Sequence, residues 1–175
     1  MVESVRFTTL KRLTLLPENL RETNSTHLMR EPIELPDLTG VDPSYRDSFD
    51  SISRITTERF ADILRNLHRS GYDAVLPTDV RYLYEFIGGH IFGAKNIRCK
   101  KDLHRLFDGL KKGIRLCIVF HCEYSTVRGN HVCKKFKSEI CPNYEGRFEK
   151  IDVFLLTGGY KDFYKKYPEL CDGGY

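Results

Sequence analysis

The sequence has no apolar run long enough to cross a membrane. Nothing in its 175 residues approaches the roughly 18 consecutive apolar residues that a spanning helix needs. No secretory leader is expected: Glu3, Arg6, Lys11 and Arg12 break up the stretch from Met1 to Leu16 before an apolar core can form. A transit peptide is the less favoured reading of that stretch. The expectation is a protein of the nucleus or cytoplasm whose six cysteines stay reduced, although an even count would also suit a disulfide framework. There is no Cys-x2-Cys pair. Cys117, His121, Cys122, His131 and Cys133 crowd together in sequence, but Cys117 lies inside an apolar run, so no metal and no cofactor are expected. Strong charge imbalance is also missing. With 28 basic and 24 acidic residues the net charge is +4, too even to argue for nucleic acid. Internal repeats are absent.

What is present is apolar material for a core: 41% hydrophobic residues, with eleven Phe and ten Tyr. That excludes disorder for the bulk of the chain. Residues 17–34 are polar and interrupted by Pro17 and Pro32, and read as a solvated arm. A helix is expected from about Thr56, with Phe60, Ile63, Leu64 and Leu67 on one face and Ser70-Gly71 closing it. Ala74-Val75-Leu76 reads as a short strand limited by Pro77, and Asp79 to Phe86 as a short helix ended by Gly88-Gly89. Ala94 to Ile97 reads as a brief strand. Residues 101–112 repeat the helical pattern through Leu103, Leu106, Phe107 and Leu110, with Gly113 as terminator.

Ile114 to Phe120 is nearly continuous apolar sequence, as in a central parallel strand covered on both faces. Val132, Cys133, Phe136 and Ile140 outline a helix stopped by Pro142. A strand over Ile151–Leu156 and a last helix over Lys161–Tyr167 follow. Strands alternating with helices predict an α/β sandwich around a mainly parallel sheet.

Between the apolar strand and the helix lies His121-Cys122-Glu123-Tyr124-Ser125-Thr126-Val127-Arg128. Ligands in open α/β sheets bind beyond the carboxyl ends of strands, and a helix N-terminus offers unpaired N–H groups to an anion. The amides of Glu123 to Arg128 would therefore converge above Cys122 as a phosphate cradle. The same field favours a thiolate, the nucleophilic form of cysteine. Arg128 supplies a planar fork for two phosphate oxygens, which a lysine does not duplicate. Ser125 and Thr126 add hydroxyls. Cysteine is often only a small buried hydrophobe, and Cys99, Cys117 and Cys133 are read that way. Cys-x5-Arg alone is a weak signal; the preceding strand and following helix strengthen it.

At this loop the sequence resembles the M-phase inducer phosphatases, whose loop begins His-Cys-Glu-aromatic-Ser-Ser and ends in Arg. Asp79-Val80-Arg81-Tyr82-Leu83-Tyr84-Glu85-Phe86-Ile87-Gly88-Gly89-His90-Ile91-Phe92-Gly93-Ala94-Lys95-Asn96 and Leu155-Leu156-Thr157-Gly158-Gly159-Tyr160-Lys161-Asp162-Phe163 resemble two further blocks of that family. The resemblance covers roughly residues 38–175. It implies a domain there with a rhodanese-like three-layer fold, preceded by an arm over residues 1–37. It implies dual-specificity hydrolysis of phosphotyrosine and phosphothreonine on a cyclin-dependent kinase–cyclin complex, promoting mitotic entry. Cys122 would form the phosphocysteine, and Arg128 with the amides of Glu123, Tyr124, Ser125, Thr126 and Val127 would hold the phosphate. The protein is expected to act as a monomer. Lys134 and Lys137 would share a basic docking face, if they are not simply solvated.

Two positions depart from the family. Val127 stands where it often has Glu, a suggested general acid; this leaves Glu123 as the nearest carboxylate. Val80 stands where it commonly has a Cys able to protect the nucleophile as a disulfide. Three rival readings remain open: arsenate reduction on the same loop, rhodanese sulfur transfer, which typically uses a loop one residue shorter, and a non-catalytic phosphoprotein-binding module.

Overall fold

In the computed structural model, which describes residues 52–175, the apolar run before Cys122 lies at the centre of the protein. It forms strand β5 (Arg115–His121), paired in parallel with β2 (Ala74–Asp79) on one side and β6 (Lys150–Leu156) on the other. Two short strands complete the sheet, β1 (Arg54–Ile55) beside β6 and β4 (Lys95–Asn96) beside β2. The order is β1-β6-β5-β2-β4, parallel throughout. Asp79 and His121 are register partners, so β2 and β5 end level at the carboxyl edge.

The residues of β5 alternate between two apolar clusters, one on each face of the sheet. Leu116, Ile118 and Phe120 join the first, with side chains from α4 (Lys100–Asp108), from α5 (Arg128–Lys135) and from the π-helical turn Phe136–Ile140 that continues α5. Phe107 sits at its middle, with ring centroids 5.2 Å from Phe136 and 5.0 Å from Tyr144. Burial of one such side chain contributes about 1.5–3 kcal/mol. Cys117 and Val119 join the second cluster, with α1 (Thr57–Arg65), α2 (Leu67–Ser70), Phe86 of α3 (Leu83–Gly88) and Tyr160 and Phe163 of α6 (Gly159–Lys166). Helices on both faces of a parallel sheet make the three-layer sandwich.

Several local expectations need correction. Strand β2 does not stop at Pro77 but runs through it to Asp79. The N–H of Val80 bonds His121 O at 3.0 Å, so strand alternation turns the Pro77 nitrogen away from β5. It faces the edge where β4 pairs only from Thr78 onward, and the missing N–H costs no ladder bond. The next helix starts at Leu83 instead of Asp79, because Asp79 to Arg81 carry the strand into the loop. The helix over 101–112 ends at Asp108; Gly113, at φ +70°, belongs to the later turn into β5. The first helix breaks at Asn66, whose N–H bonds Asp62 O, and restarts as the short α2. Cys117 and Cys133 are fully buried as expected, whereas Cys99 is only half-buried beside the start of α4.

A second sheet went unforeseen. Strand β3 (Gly89–Ile91) pairs antiparallel with β7 (Cys171–Gly173), bringing the last residues back beneath the loop. The expected arm, 1–37, lies outside the described residues, as does the start of the expected 38–175 domain.

Candidate active site

The residues between β5 and α5 curl at the carboxyl edge of the sheet. Ser125, at φ 54°, is the one non-glycine residue with positive φ among the described residues, and it sits at the middle of the curl. Its hydroxyl oxygen is buried without a hydrogen-bond partner in the described protein. No side chain caps α5, whose N-cap is Val127, so the first-turn amides face the loop rather than a capping oxygen. Cys122 is 4% exposed. The first turn of α5 lies close against it: a Cβ on Gly129 would stand 3.2 Å from Cys122 N and 3.5 Å from its Sγ. The thiol thus lies at the positive end of a helix, as the strand-loop-helix pattern predicts.

The Gly158-Gly159-Tyr160 block anchors the start of this loop. The N–H of Tyr160 bonds Cys122 O at 2.9 Å, and that of Lys161 bonds Glu123 O at 3.1 Å. Gly159 has φ +65°, and a Cβ there would lie 2.4 Å from Glu123 O and 2.5 Å from Cys122 O. Only glycine lets α6 approach the loop backbone this closely.

Arg81 fills the space beneath. Its guanidinium binds both Asp79 oxygens, Gly89 O at 2.6 Å and Glu123 Oε2 at 3.3 Å. It lies 3.9 Å from the centroid of the Tyr160 ring. The hydroxyl of Tyr175 donates to the other Glu123 oxygen at 2.6 Å. That carboxylate pushes the Tyr175 phenol up to about 12. His121 stacks on Tyr160, and complete burial holds its imidazole below the ordinary histidine range, hence neutral.

Arg128 lies at the mouth. Its two terminal nitrogens grip Glu85 at 2.7 and 3.0 Å, and its guanidinium stands 4.9 Å from the Tyr82 ring centroid. Burial opposes charge on Glu85, but Arg128 and the Tyr82 N–H at 2.9 Å outweigh it and hold the carboxyl below its usual range. Among the described residues every exposed large hydrophobic belongs to this neighbourhood: Tyr82, Leu83, Tyr84 and Ile87 of the α3 segment, Tyr124 and Val127 of the loop, and Tyr175.

The structure therefore brings Cys122, Ser125 and Arg128 together around one loop. Tyr124, Thr126 and Val127 are exposed along it. Glu123 belongs to the loop, but its carboxylate turns to Arg81 and Tyr175. Lys134 and Lys137 lie further along the helix; Lys137 lines a separate cavity of about 210 Å³ beside β6, with Cys141, Ile151 and Phe154. Val80 is buried in the same apolar cluster as Cys122. Sequence reasoning assigned no role to Arg81, Glu85, Tyr160 or Tyr175. Only their place inside the matching blocks marks the first three at all. Among the described residues no group of His, Cys, Asp or Glu is arranged to hold a metal ion, and no helix is long and apolar enough to cross a membrane.

Residues 60–166 match the rhodanese-like domain family, which defines the class of this fold. Yeast protein tyrosine phosphatase of the Rhodanese family has the same fold (TM-score 0.54, 19% identity, covering 71% of this chain and 94% of that one). So does As-Sb reductase from Leishmania major (TM-score 0.52, 21% identity, covering 71% and 87%).

The chain is also similar to M-phase inducer phosphatase 3 of Mus musculus, 32% identical over 150 residues, covering 81% of this chain and 30% of that protein. Against the Cdc25-like protein phosphatase twine of Drosophila melanogaster it is 33% identical over 153 residues, covering 82% and 34%. With the Schizosaccharomyces pombe M-phase inducer phosphatase it shares 32% over 133 residues, covering 74% and 22%. The protein belongs to the M-phase inducer, or Cdc25, phosphatase family, and spans about a third or less of the length of these relatives.

Proposed function

We propose that the protein is a cysteine-dependent dual-specificity phosphatase acting on phosphotyrosine and phosphothreonine of a cyclin-dependent kinase–cyclin complex. It would promote mitotic entry from the nucleus or cytoplasm. The observation that carries this reading is Cys122 Sγ against the uncapped first turn of α5, with Arg128 at the head of that helix. Cys122 attacks phosphorus as the ester P–O bond breaks, giving a phosphocysteine. Water then attacks phosphorus, the P–S bond breaks, and inorganic phosphate leaves. The loop amides and the Arg128 fork hold the equatorial oxygens, so positioning and electrostatics do most of the work. Arg128 exchanges Glu85 for the phosphate when substrate binds.

The test is dephosphorylation of a doubly phosphorylated cyclin-dependent kinase–cyclin complex. Wild type should release phosphate, and Cys122→Ser should still bind the phosphorylated complex without turnover. Turnover of phosphopeptides but not of this complex would move the substrate elsewhere in the phosphoproteome. Arsenate-dependent oxidation of a thiol donor, without phosphate release, would favour the reductase reading.

A further inference from the structure

Three carboxylates pack against the loop or the two arginines beside it, and all three are engaged. Asp79 is fully buried and accepts from Arg81 Nε, Arg81 Nη2 and the Arg81 backbone N–H. Glu123 receives Arg81 Nη1 on one oxygen and Tyr175 OH on the other. Glu85 receives both terminal nitrogens of Arg128 and the Tyr82 N–H. Each is occupied as an acceptor by cationic or N–H and O–H donors. The loop residue next to Arg128 is Val127, 50% exposed and without a proton to give. His131, one turn into α5, has Lys134, Lys135 and Glu139 as its charged neighbours.

The rim is a separate observation. Tyr82 and Tyr84 stack with centroids 5.7 Å apart and planes 10° from parallel, and Tyr84 is 73% exposed. Tyr124 and Val127 add flat and branched apolar surface on the loop itself. Exposed apolar groups gathered at one place mark an interaction site.

We propose that the site selects by leaving group: it turns over aryl phosphates, phosphotyrosine in a protein, far faster than the alkyl phosphates of phosphothreonine or phosphoserine. This rests on the phosphatase reading and divides its two substrates. In the first step the Sγ–P bond forms, the P–O bond breaks and the electron pair stays on the departing oxygen. A tyrosine phenolate, whose parent phenol has a pKa of about 10, leaves with that pair and takes a proton from water afterwards. An alkoxide is about as basic as hydroxide, whose parent water has a pKa of about 15.7, and needs its proton while the bond breaks. A positioned general acid typically supplies about 10²–10⁴-fold; here Asp79 and Glu123 are tied to Arg81, and Glu85, once Arg128 has turned to the phosphate, keeps the Tyr82 N–H as its donor, so none of the three is left free to serve. The aromatic rim then offers ring faces to a phenyl group and little to a threonine methyl.

The experiment measures kcat/KM on one peptide sequence bearing phosphotyrosine or phosphothreonine, and on a series of aryl phosphates of rising leaving-group pKa. The phosphotyrosine peptide should lead by about 100-fold or more, and the aryl series should fall steeply. Val127→Glu, at an exposed position, should raise the phosphothreonine rate at least about tenfold relative to the phosphotyrosine rate. Equal rates on the two peptides, a flat aryl series, or a ratio of the two rates unmoved by Val127→Glu overturns the inference and leaves the phosphatase reading standing. Folded protein that hydrolyses no phosphate ester overturns that reading and the inference together.

Discussion

Arg81 and Arg128 each lie against a tyrosine ring and each grip carboxylate, yet one is sealed beneath the loop and the other opens onto its mouth. Arg81 is 4% exposed and bonds two carboxylates and a main-chain carbonyl. Arg128 is 22% exposed and has one carboxylate partner, itself 19% exposed. The first arrangement is over-determined, so removing any one partner leaves buried charge behind. The second is a single bidentate pair in reach of water, and a phosphate offers the same two-oxygen geometry as Glu85. Similar chemistry thus makes a scaffold in one place and an exchangeable clamp in the other.

Four substitutions test this contrast. Arg81→Met should cost about 3–5 kcal/mol of unfolding free energy, because Asp79 would remain buried without its cation; urea denaturation measures it, and a loss under 1 kcal/mol would erase the difference between the two arginines. Arg128→Ala should instead lower kcat/KM on an aryl phosphate by about 10²–10³-fold, the usual effect of losing one anion-stabilising group. Its unfolding free energy should stay within about 1 kcal/mol of wild type, as for partly exposed pairs.

Glu85→Gln removes the competitor for Arg128 and should tighten inorganic phosphate binding by about fivefold, equal to about 1 kcal/mol; calorimetry reads this directly. Acid should act similarly on the pair. The Glu85 pKa is lowered by Arg128, so the pair is intact above the ordinary glutamate range and is lost as pH falls through that lowered value. Carboxyl NMR titration follows it. Tyr175→Phe should have the smallest effect, about 0.5–1.5 kcal/mol for one hydrogen bond, with Glu123 still held by Arg81. A larger change in kcat than in stability would show that Tyr175 positions the loop.

The legibility of these regions from sequence differs for physical reasons. The apolar run ending at Phe120 announced β5, because a strand buried on both faces must be apolar throughout. The loop was legible because strand, Cys-x5-Arg and amphipathic helix are consecutive. The engagement of Glu123 is not legible locally because its partners, Arg81 and Tyr175, lie 42 and 52 residues away. Nothing local reports them. The pairing of β3 with β7 was missed for the same reason, since His90 meets Asp172 only through the fold. Pro77 misled because its tolerance depends on which neighbour strand its nitrogen faces, a property of sheet order.

By itself the sequence determined what is periodic or contiguous: the α/β alternation, the central strand, the helical stripes of α1 and α4, and the thiol and arginine six residues apart at a helix start. Such features follow from local backbone geometry and the side-chain repeat. Only the tertiary structure decided how the charges are shared. It placed Gly159 against the loop backbone, locked Glu123 away from the mouth and set Glu85 on Arg128, because hydrogen-bond partners are chosen by distance in space. The thiol and its cradle were written in one short segment; the partners of the carboxylates around it were written in the packing.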